Sequence, residues 1–390
     1  MGEQVFFARS PHALQSPFHD IERYCELSKL KINTTKTKIM IFERGRATYS
    51  DFFIYGTKLE IVSNFKYLGL DFFKNGSWSR SQKNIAKRAS YALNNLFLIF
   101  SNIELPLSQK CKLFDILVSS ILQFGSEIIG LHQCNDLELI HTKFLRRILG
   151  VNKSTNLSAL YGELGRLPLF ILLKIRMIKY WIHILNSGED SLIYKVYKDL
   201  MQDVEVSKNN KNWAYNIKTL LQEHGLYDIW LNQFNHDVPF LLIKQRILDM
   251  YYQKWHSDIN NSPKLKAYCV FKQELVFEKY LDNISVKKYR SALTKFRVSS
   301  HNLAIETGRR HAIPQDDRKC LFCPMNSVET EFHFLLVCPF YTEIRRKYFK
   351  NYFCRWPTLN KLKLLMNSES NRTQLNIAIY DSMRKRQMSV

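Results

Sequence analysis

The spacing of hydrophobic positions changes character near residue 80. Before that point, SPHALQSPFHDIERYCELSKL places Leu14, Phe18, Ile21 and Cys25 at helical spacing, and KIMIF follows as a short apolar run. The next stretch, DFFIYGTKLEIVSNFKYLGLDFF, contains β-rich runs that Gly56 interrupts. The pattern therefore predicts one helix followed by a small antiparallel meander.

After residue 80 the apolar positions recur with the period of a helix. They are Ile85, Ala89, Ala92, Leu93, Leu96, Phe97 and Phe100 in a first helix, Leu113, Phe114, Leu117, Val118, Ile121 and Leu122 in a second, and Leu137, Ile140, Phe144, Leu145 and Ile148 in a third. The glycines and proline of YGELGRLPL predict a loop, after which helices continue to about residue 300. The predicted fold class is mainly α with a small antiparallel β region near the N-terminus, an α+β arrangement.

The net charge of the chain indicates the kind of partner that it binds. The 390 residues include 57 Lys and Arg against 35 Asp and Glu, a formal net charge of +22. Phosphate backbones reward distributed cations most directly, so nucleic acid is the expected partner, either RNA or DNA. A membrane surface, an acidic protein or simply a well-solvated basic surface are the alternatives. The N-terminus lacks the pattern of a secretory signal and no window is apolar enough to span a membrane, which predicts an intracellular protein, nuclear or cytoplasmic. The oligomeric state stays open.

Three of the eight cysteines fall in one segment together with a histidine. KCLFCPMNSVETEFHFLLVCP places Cys320, Cys323, His333 and Cys338 within nineteen residues, a spacing suited to one tetrahedral Zn²⁺. Four protein ligands leave no open position, so such a zinc would be structural; four residues packed as ordinary core side chains are the alternative. The remaining cysteines are predicted to be core thiols: Cys25, Cys111, Cys134, Cys269 and Cys354.

Basic residues near these patterns are candidate nucleic-acid contacts. The third helix is expected to turn Lys143, Arg146 and Arg147 outward, and YTEIRRKYFK after the cysteine segment predicts a basic helix. That helix mixes cations with aromatic residues, as phosphate contact and base stacking require, although a solvated helix face is the alternative. Its candidate contacts are Arg345, Arg346, Lys347 and Lys350.

Several stretches, in their order, resemble the C-terminal part of the polyprotein of LINE-type (non-LTR) retrotransposons: YCELSKLKINTTKTKIMIF, NFKYLGLDF, ILQFGSEIIG, FLRRILGVNKSTNLSALYGELGRLPL, FRVSSHNLAIETGR and the Cys-Cys-His-Cys segment. The resemblance implies a palm remnant at 1–45, a primer-grip meander at 46–78, a helical thumb at 79–190, a helical connector at 191–300, a zinc-knuckle region at 301–356 and a tail helix at 357–390. It further implies that Lys36 and Lys38 in NTTKTK, and Lys66 in FKYLG, lie near nucleic acid or nucleotide. Five more residues separate Cys323 from His333 than in the retroviral nucleocapsid knuckle, so the base-binding mode of that knuckle does not carry over.

The resemblance also implies a missing active centre. Where the family has an Asp pair that holds the catalytic Mg²⁺ ions, this sequence has Met1, Gly2, Glu3 and Gln4. No catalytic residue is therefore predicted, Mg²⁺ is expected only in a complete polymerase, and the chain is expected to bind nucleic acid without polymerising it. Two alternatives remain: the fragment belongs to a complete RNA-directed DNA polymerase whose gene begins upstream, or it is a helical scaffold for protein partners.

Overall fold

A computed structural model gives the fold of residues 4–42, 51–129, 135–206, 212–234, 237–368 and 372–389. Helix accounts for 63% of the structure, which confirms the predicted mainly α class with a small β region. The chain forms two compact units, 1–85 and 86–390. The predicted internal boundaries at 190, 300 and 356 stay predictions, and the one at 45 lies outside the described residues.

Before Ser79, the described residues of the first unit form one helix and six short strands. They are α1 (Pro11–Leu27), β1 (Lys38–Ile39), β2 (Phe53–Ile54), β3 (Thr57–Lys58), β4 (Glu60–Ile61), β5 (Asn64–Tyr67) and β6 (Leu70–Phe73). Ser10 caps α1, its Oγ accepting from the backbone of Ala13 at 3.2 Å. The core of this unit consists of Phe18, Ile39, Phe52, Ile54 and Leu59, all buried.

The strands do not form the predicted antiparallel meander. β2 and β3 pair as an antiparallel hairpin, as do β5 and β6, but β1 pairs with β4 in parallel. The two hairpins turn through residues at positive φ, Tyr55 with Gly56 and Leu68 with Gly69, which suit tight two-residue connections. The parallel pair instead buries Ile39 in the core, and its register brings Lys38 opposite Glu60.

The second unit is helical in its described part. Helix α2 (Ser79–Asn102) begins before the division between the units and continues beyond it. The next helices are α3 (Leu107–Phe114), α4 (Ser120–Leu122), α5 (Ser126–Ile129), α6 (Asn135–Leu149), α7 (Leu157–Leu164), α8 (Leu169–Leu185), α9 (Leu192–Val206), α10 (Trp213–Glu223), α11 (Tyr227–Leu231) and α12 (Phe240–Asn261). They are followed by α13 (Tyr268–Phe271), α14 (Tyr280–Asn283), α15 (Lys287–Arg297), α16 (Ala304–Arg310), α17 (Thr342–Tyr348), α18 (Asn351–Cys354), α19 (Leu359–Asn367) and α20 (Arg372–Met388).

The three helices predicted from apolar spacing are present as α2, as α3 to α4 joined by a π-helical segment at Asp115–Ser119, and as α6. Two local expectations are wrong. Most of YGELGRLPL is not a loop, because Tyr161–Leu164 completes α7 and the chain turns only at Gly165, which has φ +58°. The expected single tail helix is two helices, α19 and α20.

The predicted core thiols divide by burial. Cys25 and Cys111 are buried as predicted, whereas Cys269 and Cys354 are half-buried. Cys134 lies outside the described residues. Among the helices whose placement is described, none has both the length and the hydrophobicity of a membrane span.

Candidate metal centre

The four predicted metal ligands come together in space. One ligand atom from each of Cys320, Cys323, His333 and Cys338 lies within 4.8 Å of all the others. Cys320 and Cys338 are separated by 3.9 Å between their Sγ atoms, and Cys323 Sγ lies 3.4 Å from His333 Nε2. A tetrahedral zinc with bonds of about 2.3 Å to sulfur and about 2.1 Å to nitrogen places two sulfurs about 3.8 Å apart and sulfur and nitrogen about 3.6 Å apart. The ligand spacing therefore fits one zinc ion.

Local backbone structure explains this convergence. The segment from Arg318 to Glu329 folds back on itself: Cys320 N donates to Ser327 O and Glu329 N donates to Arg318 O, both at 2.9 Å. The turn so formed presents Cys320 and Cys323. Asn326, at φ +47°, lies in the return of this turn.

The other two ligands flank a single helical turn. Thr330 accepts from the backbone of His333 through its Oγ1 at 3.1 Å, and a π-helical segment, His333–Val337, follows. Cys338 ends that segment, its N–H donating to His333 O at 2.7 Å. This turn holds His333 and Cys338 on the same side of the chain, five residues apart.

The centre is enclosed by protein. Cys320, His333 and Cys338 are buried and Cys323 is half-buried. Burial, followed by the neighbouring cysteines, raises the pKa of the Cys338 thiol to about 12, and burial lowers the pKa of His333. A lowered pKa keeps the imidazole neutral, the form that binds metal. A 3.9 Å separation of Cys320 and Cys338 is far too long for a disulfide bond.

Two buried acidic residues anchor the centre to the surrounding helices. The carboxylate of Glu329 accepts hydrogen bonds from Nε and Nη2 of Arg386 at 2.9 and 2.8 Å. These bonds connect α20 to the turn of residues 318–329, which we call the cysteine turn. Glu331 accepts from Ser299 Oγ at 2.8 Å and lies 3.0 Å from His301 Nε2. These bonds fix the segment that carries His333 against the end of α15.

Two more buried donors lack partners beside the centre. The hydroxyl of Tyr341 and the Nη1 of Arg345 are both buried, and neither has a hydrogen-bond partner in the part of the chain that the structure describes. Both groups interact electrostatically with Cys338. Donors of this kind fit a centre that carries negative charge, as zinc held by three thiolates does, so the surroundings as well as the ligands suit the metal.

The predicted nucleic-acid contacts have varied environments. Lys36, Lys66, Lys143, Arg147, Arg346, Lys347 and Lys350 are exposed. Lys38 is half-buried and forms an ion pair with Glu60, and Arg146 is half-buried with its Nε shielded from solvent. Arg345 does not fit the predicted role, because its side chain is buried. Helical spacing explains this burial: Tyr341, Arg345 and Phe349 lie four residues apart and all point inward.

The structure brings one basic surface together, which we call the basic aromatic face: Phe97, Phe100, Lys110, Lys143 and Arg147. The Arg147 guanidinium carbon lies 5.3 Å from the centre of the Phe97 ring, and Lys110 Nζ lies 5.3 Å from that of Phe100. The two rings are 6.5 Å apart. The sequence placed both rings among the apolar positions of α2, and in the structure both are half-buried.

The basic aromatic face has a positive local potential. Burial, and then the nearby cations Arg290 and Lys287, lowers the pKa of Lys110. Lys143 contacts only Asn94, at 3.5 Å, and Lys143 and Arg147 form no ion pair in the part of the chain that the structure covers. Lys110, Lys287 and Arg290 were not predicted from the sequence, since α3 and α15 meet only in the fold.

No protein-family model matches the chain, and neither does any curated protein or solved structure.

Proposed function

We propose that the chain binds nucleic acid, RNA or DNA, largely independently of sequence, and that its zinc centre is structural. The observation that carries the proposal is the basic aromatic face on a chain of net charge +22. The exposed Arg147 and the half-buried Lys110 lie over aromatic rings, the exposed Lys143 is beside them, and none of the three forms an ion pair within the described residues. Cations without acidic partners are free to neutralise phosphates, and aromatic rings add stacking surface. The zinc centre supplies no chemistry in this proposal, because four protein ligands leave no position for a substrate.

We also propose that the chain derives from a LINE-type retrotransposon polyprotein and does not polymerise alone. The order of the resembling stretches along the sequence supports this origin, and the absence of the family's Asp pair from the sequence supports the lack of polymerase activity. Primer extension by the purified chain would contradict the second part.

Binding can be tested with a salt titration of the purified chain against a labelled single strand and a labelled duplex. We expect affinity to fall linearly with salt on logarithmic axes. The double variant Lys143→Ala, Arg147→Ala should lower the slope by about 2, since each lost phosphate contact lowers it by about 1. The measurement is the dissociation constant at several salt concentrations.

A matched control removes the same charge elsewhere. Lys195 and Lys254 are exposed but already pair with Asp190 and Asp258. The double variant Lys195→Ala, Lys254→Ala should leave the slope close to that of the wild type. Equal slopes for both double variants, or no binding by the wild type at low salt, would contradict the proposal and favour a protein-interaction scaffold.

A further inference from the structure

Arg345 is a buried cation without a carboxylate partner. It lies on α17 seven residues after Cys338 and is 7% exposed. Its Nη2 donates to Thr342 Oγ1 at 3.0 Å, while its Nη1 has no partner. Within the described residues no acidic side chain forms an ion pair with it. A buried, unpaired charge is strongly unfavourable, and arginine does not escape by losing its proton.

Arg345 lies on the helix that follows Cys338 closely, and the backbone N–H of Tyr341, just before that helix, donates to Cys338 O at 3.3 Å. Burial lowers the pKa of Arg345, and the thiols of Cys338 and Cys354 act in the opposite direction. The unpaired positive charge of Arg345 therefore lies near Cys338, one of the four candidate metal ligands.

Zinc binding would give this charge a counterpart. The two positive charges of Zn²⁺ against three thiolates and a neutral imidazole leave one excess negative charge in a buried site. We propose that Arg345 is the counter-charge of the zinc centre, a positioning residue that stabilises the anionic metal-bound state. This inference rests on the zinc centre proposed above. The buried hydroxyl of Tyr341, four residues earlier, has no hydrogen-bond partner among the described residues and also interacts electrostatically with Cys338.

The role predicts effects of opposite sign on two states of the protein. Without metal, the buried charge has no partner, so Arg345→Met should leave stability unchanged or raise it. With zinc bound, the same substitution removes the counter-charge and should weaken zinc affinity about 10- to 100-fold, the usual loss for an outer-shell partner. A residue that served only in packing would change both states alike.

The experiment compares zinc affinity and stability across variants of the full chain. Zinc content of the wild type is measured first, followed by competition with a chromophoric chelator for wild type, Arg345→Met, Arg345→Lys and Arg346→Met. Arg346 is the matched control, because it is the exposed neighbour on α17. We expect the order of affinity to be wild type equal to Arg346→Met, then Arg345→Lys, then Arg345→Met. Denaturant midpoints are measured for each chain with zinc and with chelator.

Each result decides a different question. A wild type without zinc overturns the metal centre itself, and this inference with it. A zinc-binding wild type whose Arg345→Met variant binds equally tightly, or loses the same stability with and without zinc, overturns the role of Arg345 alone. Where the Met variant does not fold, the ratio of zinc affinities between Arg345→Lys and Arg345→Gln carries the test, and a ratio of one overturns the inference.

Discussion

His141 lies 2% exposed in α6 with a polar group on each side of its ring. Its Nε2 accepts from Arg166 Nε at 3.3 Å, which places the proton of the neutral ring on Nδ1. Nδ1 then donates to Glu138 Oε1 at 3.1 Å, and Glu138 also accepts from Tyr161. The ring stacks on Phe114 with centroids 5.6 Å apart. A neutral His141 thus links α6 to α7 and to the chain just after it.

This arrangement predicts a pH dependence of stability. Burial lowers the pKa of His141 below its ordinary value of about 6.5. The unfolded chain takes up a proton near that pH and the folded chain does not, so His141 lowers the free energy of unfolding as the pH falls below about 6.5. In His141→Asn this loss is absent. The difference in urea midpoint between wild type and variant should therefore be largest above pH 7 and shrink toward pH 5.

The exposed His183 supplies the control, since replacing an exposed side chain in His183→Asn should leave the urea midpoint close to that of the wild type. Other histidines are common to both proteins and cancel in the comparison. A gap between wild type and His141→Asn that stayed constant or widened on acidification would show that His141 is not buried in its neutral form.

At the scale of single residues, the features that depend on the spacing of residues along the chain were predicted from the sequence. The four metal ligands follow from two short intervals and one longer one, and the structure brings them together. The burial of Arg345 was not predicted, because its polar neighbours in YTEIRRKYFK suggested a solvated helix. The spacing of Arg345 four residues from both Tyr341 and Phe349 could have predicted its burial. The charge of arginine favoured an exposed position instead.

In helix α7, tertiary packing overrides the glycine signals that predicted a loop in YGELGRLPL. Gly162 lies inside the helix, and a Cβ there would approach Tyr268 Oη to 2.4 Å and Trp255 Cζ2 to 2.9 Å. At Gly165 the corresponding atom would lie 2.3 Å from the backbone N of Phe277. Both glycines are thus needed for close approach to distant parts of the chain. No local rule distinguishes such a glycine from one that ends a helix.

This close approach predicts that Gly162→Ala is destabilising. Alanine favours a helix by about 1 kcal/mol over glycine, but overpacking a tight core costs about 1–3 kcal/mol, so the net effect should be a loss. The second substitution Tyr268→Phe removes the nearest atom and should restore part of that loss. Denaturant unfolding of the single and double variants measures both effects.

Ser158→Ala in the same helix is the comparison, because Ser158 is half-buried and its side chain makes no hydrogen bond within the described residues. Its stability should remain close to that of the wild type. If Gly162→Ala were as stable as Ser158→Ala, the contact with Tyr268 and Trp255 would not limit the space in α7.

The parallel pairing of β1 with β4 could not be predicted from the sequence. The two hairpins carry their turn signals at Gly56 and Gly69, whereas β1 and β4 are two residues long and joined by no local turn. Their parallel pairing depends on the burial of Ile39 with Phe18 and Ile54, which are distant in sequence. Periodicity carries no information about such a partner.

At the scale of the whole molecule, zinc removal should have a local effect. The cysteine turn and the segment after it have little regular structure of their own, and structural zinc contributes on the order of 10–16 kcal/mol in small zinc-binding peptides. We expect chelation to make the chain between Arg318 and Lys350 sensitive to trypsin while the helices of residues 86–300 stay protected. Mass mapping of the cleavage sites with and without chelator measures this, and restoring zinc should reverse it.

Two cysteine variants separate loss of metal from loss of a thiol. Cys338→Ser should reproduce the cleavage pattern of the chelated wild type, because Cys338 is one of the four residues of the proposed metal centre. Cys269→Ser should match the untreated wild type, since Cys269 lies outside the cluster. Uniform cleavage along the chain after chelation would mean that the zinc centre stabilises far more than its own region.

The pairing of Glu329 with Arg386 imposes an order on biosynthesis. The carboxylate lies 57 residues before its guanidinium partner. A ribosome that adds about 5–20 residues per second needs about 3 to 11 s to cover that interval, during which the Arg386 partner of Glu329 has not yet been made. The cysteine turn of residues 318–329 is therefore synthesised before the residue that ties it to α20. A nascent chain that stalled between Glu329 and Arg386 would expose this turn, without its ion pair, to chaperones and proteases.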